Sequence, residues 1–195
     1  MNRIQIIQAH INKYGYKNYL EIGIQNGHCF SAIVCEKKTG VDPDKGSAAT
    51  IHETSDEFFS KNKEKFDVIF LDGLHVADQV ERDIINSLAC LSEGGTILMH
   101  DCKPENKHMQ EVPLTDQNEW TGNVWEAFVK MRMTRDDITM RTVFSDWGVG
   151  IIRVGTQEKL IIPAEIHVNY ENFAIHNAEW LNLVSVREFI QSMES

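Results

Sequence analysis

The sequence predicts a doubly wound α/β fold with a mostly parallel sheet. Strand-like apolar runs alternate with amphipathic helix-like stretches, a pattern that requires crossover connections between parallel strands. The run Phe66–Leu71 is also continuously apolar apart from one aspartate, which suits a strand covered on both faces.

The composition limits the organisation and the partners. With 195 residues, 42% hydrophobic and 25% charged, residues 1–195 are expected to form a single domain, with 155–195 as a C-terminal extension packed on it. The net charge of -10 disfavours nucleic acid as a partner. Since no stretch approaches the roughly 18 apolar residues of a membrane span, we expect a cytoplasmic protein without a membrane partner.

The first half of the chain alternates helix and strand. Isoleucines at positions 4, 7 and 11 have helical spacing and predict an opening helix. The expected elements that follow are the strand Asn18–Ile22, a helix over 30–37, a short strand ending at 40–42, a polar stretch to 60, and the strand Phe66–Leu71.

The second half continues the alternation and then changes character. A helix over 80–91, closed by Gly94-Gly95, leads to a strand over 96–99. Residues 102–120 are polar and aperiodic and predict a long lid or binding loop. The expected elements after it are a helix over 124–133, an antiparallel edge hairpin of 139–144 with Val149–Val154, and a terminal helix over 186–193.

A glycine loop follows the first strand. Gly23 and Gly27 stand between strand and helix, where a missing Cβ lets the backbone turn sharply and approach a ligand. The loop lacks the G-x-G-x-x-G spacing of dinucleotide-binding folds. The strand ends in the acid Glu21, whose negative charge disfavours a pyrophosphate at this place. Both features argue against a dinucleotide. Asp42 follows Glu21 by 21 residues, the spacing at which doubly wound folds place an acid on a ribose. The alternative is that the glycines only serve a tight turn and that Asp42 caps the Pro43-Asp44 turn.

The E-x-G-x-x-x-G pattern resembles motif I of the class I S-adenosylmethionine (SAM)-dependent methyltransferases. This resemblance implies a seven-stranded Rossmann-like sheet and SAM as cofactor, bound by Glu21, Gly23, Gly27 and Asp42. In that family a side chain near the end of the third strand often contacts the adenine, and Ser55 or Asp56 falls at this place. Capping of a helix by Ser55 or Asp56 is the alternative.

Two further strands end in polar residues. Asp72 and His75 follow Phe66–Leu71, and His100 and Asp101 follow the strand over 96–99. Because the carboxyl ends of parallel strands meet at one edge of a sheet, these groups are expected to converge. Carboxylates with imidazoles suit a divalent cation, whereas turn formation and helix capping are the plainer explanations.

The strings F-D-V-I-F-L-D-G-L-H and G-G-T-I-L-M-H-D resemble the metal-assisted sugar and natural-product O-methyltransferases over about residues 18–154. The resemblance implies that Asp72 and Asp101 hold Mg²⁺ or Mn²⁺, that His75 is a general base beside Asp72, and that the acceptor is a sugar or glycosylated metabolite. His100 stands where related enzymes often carry an acid, so it is a third candidate ligand and leaves the metal's identity open. The competing functions are a nucleoside-cofactor-binding protein without turnover and an NAD-dependent oxidoreductase on the same fold.

Other residues carry weaker expectations. Trp120 and Trp147 are candidates for an acceptor pocket, while core packing is favoured for Trp125. His108 and Lys103 lie in the expected lid and could meet the substrate. The aromatic residues between 160 and 180 suit either a cover for the site or a contact in a homo-oligomer.

Overall fold

A computed structural model of the chain describes residues 1–114 and 119–194. The helices are α1 (Arg3–Tyr14), α2 (His28–Ala32), α3 (Ser55–Lys61), α4 (Ala77–Cys90), α5 (Val124–Thr134), α6 (Tyr170–Trp180) and α7 (Val186–Glu194). The strands are β1 (Asn18–Ile22), β2 (Lys37–Val41), β3 (Phe66–Leu71), β4 (Leu91–Met99), β5 (Ile138–Val143), β6 (Val149–Val154) and β7 (Leu183–Val184).

The strands form one seven-stranded sheet in the order β2-β1-β3-β4-β6-β5-β7. Strands β1 to β4 are parallel, whereas β6 runs antiparallel to both β4 and β5. The order reverses between β1 and β3, and a crevice at such a reversal, outside the carboxyl ends of the strands, is where doubly wound folds bind ligands. The predicted α/β fold is confirmed.

Alternating side chains of the central strands build a core on each face of the sheet. On one face Leu20 and Ile69 pack with α3, α4, α5 and α6. On the other face Tyr19 and Phe70 pack with α1, α2 and α7. Strands that are apolar on both sides fit this three-layer arrangement.

Several boundaries differ from the predictions. The helix expected over 30–37 is only α2, and Lys37 already opens β2. Helix α4 ends at Cys90, so Gly94 and Gly95 do not close it but lie within β4, near a register shift against β3. The polar stretch to residue 60 contains α3, whose start is fixed by a capping box between Thr54 and Glu57.

The two edges of the sheet also differ from expectation. The third strand that the resemblance implied is absent from residues 42–65, which hold only a single parallel bridge between Val41 and Ile51. The antiparallel hairpin of β5 and β6 is present, but β7 adds outside it, parallel to β5. The seventh strand therefore comes from the C-terminal extension.

The extension contacts both faces of the sheet. Phe173 and Trp180 pack against Trp125 with ring centroids 4.3 and 6.4 Å away, and Phe189 packs against His10 of α1. Trp125 is fully buried, as its predicted core role requires. No helix in the described parts of the chain is long and apolar enough to cross a membrane.

Candidate functional site

The glycine loop lies against the neighbouring strand end. Gly23 has φ +88°, and a Cβ there would lie 2.1 Å from the backbone oxygen of Asp72. Gly27 has φ +75°, and its Cβ would lie 2.6 Å from Cβ of Ala48. Both positions therefore need glycine for conformation and for space. The backbone of the loop at Gly23 therefore packs directly against the Asp72 turn.

Asp42 holds the glycine loop in shape. Its Oδ2 accepts hydrogen bonds from the backbone N–H groups of Ile24 and Gln25, both at 2.9 Å. Its Oδ1 accepts from the N–H of Asp44 at 2.8 Å, which is the turn-capping contact that the sequence left as an alternative. Oδ1 retains a lone pair that could accept a ribose hydroxyl, because a carboxylate oxygen accepts about two hydrogen bonds.

Glu21 is buried at the end of β1. Its carboxylate accepts a short hydrogen bond from the hydroxyl of Tyr19. Burial raises the pKa of Glu21 to about 7, and the negative charge of Asp72 adds to this, while the Tyr19 hydrogen bond works against it. A ligand carrying positive charge near this carboxyl group would favour its ionised form.

Ser55 and Asp56 occupy the first turn of α3, and neither is the cap, which is Thr54. The side-chain amide of Gln79 on α4 donates to Ser55 Oγ at 3.1 Å and to Asp56 Oδ1 at 3.2 Å. The same amide donates to Asp83, a buried carboxyl group whose pKa is raised by burial. The two predicted adenine contacts thus join α3 to α4.

The carboxyl ends of β3 and β4 bring the predicted acidic and histidine residues together. His75 Nε2 lies 3.3 Å from Asp72 Oδ1, and His75 Nδ1 lies 3.2 Å from Asp101 Oδ2. His100 Nδ1 lies 3.0 Å from Asp101 Oδ1 and 3.5 Å from Asp72 Oδ1. Convergence from two strands separated in sequence is as predicted.

Donor atoms of Asp72, His75 and Asp101 all lie within 4.8 Å of one another. The side chains of Asp101 and His75 are only 6% and 17% exposed, and no described residue forms a hydrogen bond with the buried His75 Nδ1. Asp101 also has φ +59°, a strained value for a non-glycine residue. A buried imidazole nitrogen beside two carboxylates is a donor set that fits a divalent cation.

The charges in this cluster shift one another's pKa values. Burial raises the pKa of Asp72, but contacts with His100 and His75 lower it well below its usual range. Burial lowers the pKa of His75, but Asp72 and Asp101 raise it above its usual value. The carboxylates and imidazoles are therefore strongly coupled.

Two residues that sequence reasoning missed complete the cluster. Arg3 of α1 donates its backbone N–H to Asp146 Oδ2 at 2.7 Å, and its Nη1 lies 3.2 Å from Asp146 Oδ1 and 2.6 Å from His100 Nε2. Asp146 lies in the β5–β6 turn, where Asp146 and Trp147 both have positive φ. The pKa of Asp146 is raised by burial but lowered, to about 2 overall, by His100 and Arg3.

His100 lies between Arg3 and three carboxylates. Burial lowers the pKa of His100, whereas the carboxylates of Asp101, Asp146 and Asp72 raise it well above its usual value. Its Nε2 lies 2.6 Å from Arg3 Nη1, and its Nδ1 lies 3.0 Å from Asp101 Oδ1. His100 therefore links Arg3 to the carboxylate of Asp101.

The predicted lid covers His75. The rings of Trp120 and His75 stack with centroids 5.3 Å apart, and Gly122 lies so close that a Cβ would be 1.9 Å from the backbone oxygen of His75. A 3₁₀ turn, His108–Gln110, anchors this segment through Met109, whose backbone oxygen accepts from the N–H of Thr121 at 2.8 Å. Residues 115–118 of the expected loop lie outside the described residues.

The remaining candidates lie at the margins of the cluster. The ring of Trp147 meets His100 edge-on at 6.1 Å. The side chain of His108 is 81% exposed and lies near Glu111, and Lys103 Nζ lies over the ring of Phe144. Trp147 thus remains a candidate for the site, while His108 and Lys103 contact other surface groups.

Comparison with known proteins agrees with this geometry. Residues 20–102, which contain the glycine loop and both strand ends, match a family model described as a methyltransferase domain. This part of the chain is therefore similar to a methyltransferase domain. No curated protein matches the chain significantly in a sequence search.

Solved structures of methyltransferases share the fold of this chain. A Podospora anserina methyltransferase bound to S-adenosylhomocysteine (SAH) is 17% identical, with a TM-score of 0.58 and 80% of each chain covered. The O-methyltransferase TomG from Streptomyces achromogenes, bound to SAM, is 14% identical, with a TM-score of 0.55 and 79% and 81% covered. The methyltransferase MycE, in complex with Mg, SAH and mycinamycin VI, is 15% identical, with a TM-score of 0.51. The similar region spans 80% of this chain and 49% of the MycE chain.

Proposed function

We propose that the protein is a SAM-dependent O-methyltransferase that acts on a hydroxyl of a small molecule with the help of a divalent cation. The observation that carries this proposal is the contact between the glycine loop and the Asp72 turn in a methyltransferase fold, because it puts the cofactor loop beside the Asp72–His75–Asp101 cluster. A methyl donor and a bound hydroxyl could then meet without a large movement.

The cofactor would lie over Gly23 and Gly27, with Asp42 facing the ribose and Ser55 or Asp56 facing the base. Glu21 lies deepest, and its carboxylate would complement the positive charge of SAM, which carries a sulfonium and an ammonium group. SAM and SAH in solved structures of the same fold support this choice of ligand. The nucleoside-binding and NAD alternatives have no specific observation in their favour.

Asp72 and Asp101 would hold Mg²⁺ or Mn²⁺, and His75 lies beside both carboxylates. The cation would orient the acceptor hydroxyl and lower its pKa. His75, fixed between the two carboxylates and stacked on Trp120, would receive the hydroxyl proton as the oxygen–methyl bond forms and the sulfur–methyl bond breaks, leaving SAH.

A sugar or glycosylated metabolite is the acceptor class that we propose. Its support is the likeness of the two strand-end motifs to sugar O-methyltransferases, together with the MycE complex, which holds Mg and mycinamycin VI. Polar donors and acceptors around Asp72 and Asp101 suit a substrate rich in hydroxyl groups.

The test combines binding and turnover. Calorimetry with SAH is expected to show one site. Asp101→Ala is expected to keep the SAH affinity within about threefold while losing Mn²⁺ binding, because Asp101 follows β4, which β3 separates from β1 and its glycine loop. Turnover would be followed by mass spectrometry as transfer of a deuterated methyl group from SAM to a panel of glycosides. A correctly folded protein that binds neither SAM nor SAH would sink the proposal, and binding of SAH without Mn²⁺ or product would favour a nucleoside-binding protein.

A further inference from the structure

The side chain of Arg3 enters the acidic cluster from a distant part of the sequence. Its Nη1 contacts His100 and Asp146, while its Nε lies 3.9 Å from Asp72 Oδ2. Asp72 uses its other oxygen, Oδ1, toward His75 and His100. Asp72 therefore lies between a fixed guanidinium on one side and the proposed cation site on the other.

Helix α1 holds Arg3 in this position. Asn2 caps the helix with a capping box, the backbone N–H of Arg3 binds Asp146, and Ser145 donates a hydrogen bond to the backbone oxygen of Met1. The side chain of Arg3 is only 28% exposed. These contacts fix where the guanidinium lies, and a charge that is held in place and partly shielded from water is weakly screened.

We propose that Arg3 sets the cation affinity of the Asp72–His75–Asp101 site by acting as a built-in competing positive charge. The guanidinium lies 3.9 Å from Asp72 Oδ2 and 3.2 Å from Asp146 Oδ1, so its positive charge is held beside the carboxylates that a cation would use. A cation that binds to Asp72 and Asp101 is repelled by this fixed charge and shares the Asp72 carboxylate with it. Arg3 thus lowers the cation affinity through its charge.

This inference rests on the proposed cation site but not on methyl transfer. His100 joins the guanidinium to the second carboxylate, because its Nε2 lies 2.6 Å from Arg3 Nη1 and its Nδ1 lies 3.0 Å from Asp101 Oδ1. The role of His100 as a third ligand stays a prediction.

The experiment measures Mn²⁺ binding by calorimetry and by the loss of the free-Mn²⁺ electron paramagnetic resonance signal, at one pH and one salt concentration. Arg3→Met keeps the length and helix propensity of the side chain but removes its charge. We expect it to bind Mn²⁺ about five- to tenfold more tightly than the parent protein. Arg3→Lys keeps a positive charge and is expected to stay within about threefold of the parent.

The matched control is Arg135→Met, which changes the net charge equally. Arg135 forms an ion pair with Asp137 just before β5. It therefore lies at the amino end of β5, whereas the acidic cluster lies beyond the carboxyl end. We expect Arg135→Met to stay within about twofold of the parent. Thermal unfolding and SAH titration of each sample confirm that the variants are folded.

Equal or weaker Mn²⁺ binding by Arg3→Met would overturn the inference, and so would an equal gain in Arg135→Met. Absence of Mn²⁺ binding in both parent and Arg3→Met would overturn it together with the cation site. SAH binding in the same samples then shows whether the proposed cofactor site survives, so the two failures are distinguishable.

Discussion

At the scale of single residues, the buried carboxyl group of Glu21 links the site to stability. The pKa of Glu21 is raised by burial to about 7, against 4.5 for an ordinary glutamate. The folded state therefore holds a proton that the unfolded state releases as pH rises from about 4.5 to about 7, and stability from this group is lost over that window. At pH 8 the free energy of unfolding of Glu21→Gln is expected to exceed that of the parent by on the order of 1–3 kcal/mol, because glutamine needs no proton to be neutral. Near pH 4.5 the two proteins are expected to differ little.

Urea unfolding of both proteins at several pH values measures this difference. Glu93→Gln is the control, because Glu93 is exposed in β4 and its replacement should leave the pH dependence unchanged. A Glu21→Gln protein that loses stability at pH 8 would show that the carboxylate is needed for the fold itself, through its contact with Tyr19.

Some residues of the candidate site could be predicted from the sequence, and others could not. Asp72, His75 and Asp101 could be predicted because strand topology alone brings strand ends together. Arg3 and Asp146 could not, since an arginine in a first helical turn and an aspartate in a hairpin turn are ordinary surface residues by sequence. Their meeting depends on how α1 packs across the sheet, which no local pattern encodes.

At the scale of elements, Gly122 tests whether the lid is held against His75. It has φ +57°, and an added Cβ would lie 1.9 Å from the backbone oxygen of His75. Gly94 has a comparable φ of +72° but open space around its Cβ position. Gly94→Ala is expected to cost about 1 kcal/mol from backbone strain, and Gly122→Ala at least about 2 kcal/mol more because the lid must move.

The measurement is the free energy of unfolding of the two variants and the parent, with Mn²⁺ binding as a second readout for Gly122→Ala. Equal costs for Gly94→Ala and Gly122→Ala would mean that the lid lies loosely over His75. Both glycines have positive φ, so the difference between the costs of the two substitutions excludes the backbone strain and reports the steric contact with His75 alone.

The elements that sequence patterns missed have physical reasons for being missed. Helix α6 buries only Phe173 and Trp180 among its residues, so its sequence lacks a helical apolar stripe. Strand β7 has two residues, too few for any periodicity. Helix α3 could have been predicted, because Thr54 and Glu57 form the spacing of a capping box. The strand β3 was predictable to the residue because it is an apolar run, interrupted by one aspartate, that ends at Asp72, and the bounds of β1 also match the prediction.

At the scale of the whole molecule, we propose that residues 1–195 fold as one domain, and Phe189 provides the test. Phe189 lies in the last helix, is fully buried, and packs against His10 of α1 beneath the sheet. If the extension is part of one cooperative unit, Phe189→Ala should destabilise the entire chain by about 3–4 kcal/mol. Circular dichroism and tryptophan fluorescence should then shift to the same lower urea midpoint. Ile190→Ala, at the partly exposed neighbouring position, should change the urea midpoint little.

Equal urea midpoints by circular dichroism and by tryptophan fluorescence would show that the extension unfolds together with the rest of the chain, because the two signals report on different regions. Circular dichroism averages over all helices, whereas the tryptophans lie in or beside α5, the lid, the β5–β6 turn and α6. An independently folding extension would give an early transition of α6 and α7 alone and leave the proposed Mn²⁺ and SAH sites intact. A single shared transition would instead mean that the last helix stabilises α1, and that through α1 it also holds Arg3 in the acidic cluster.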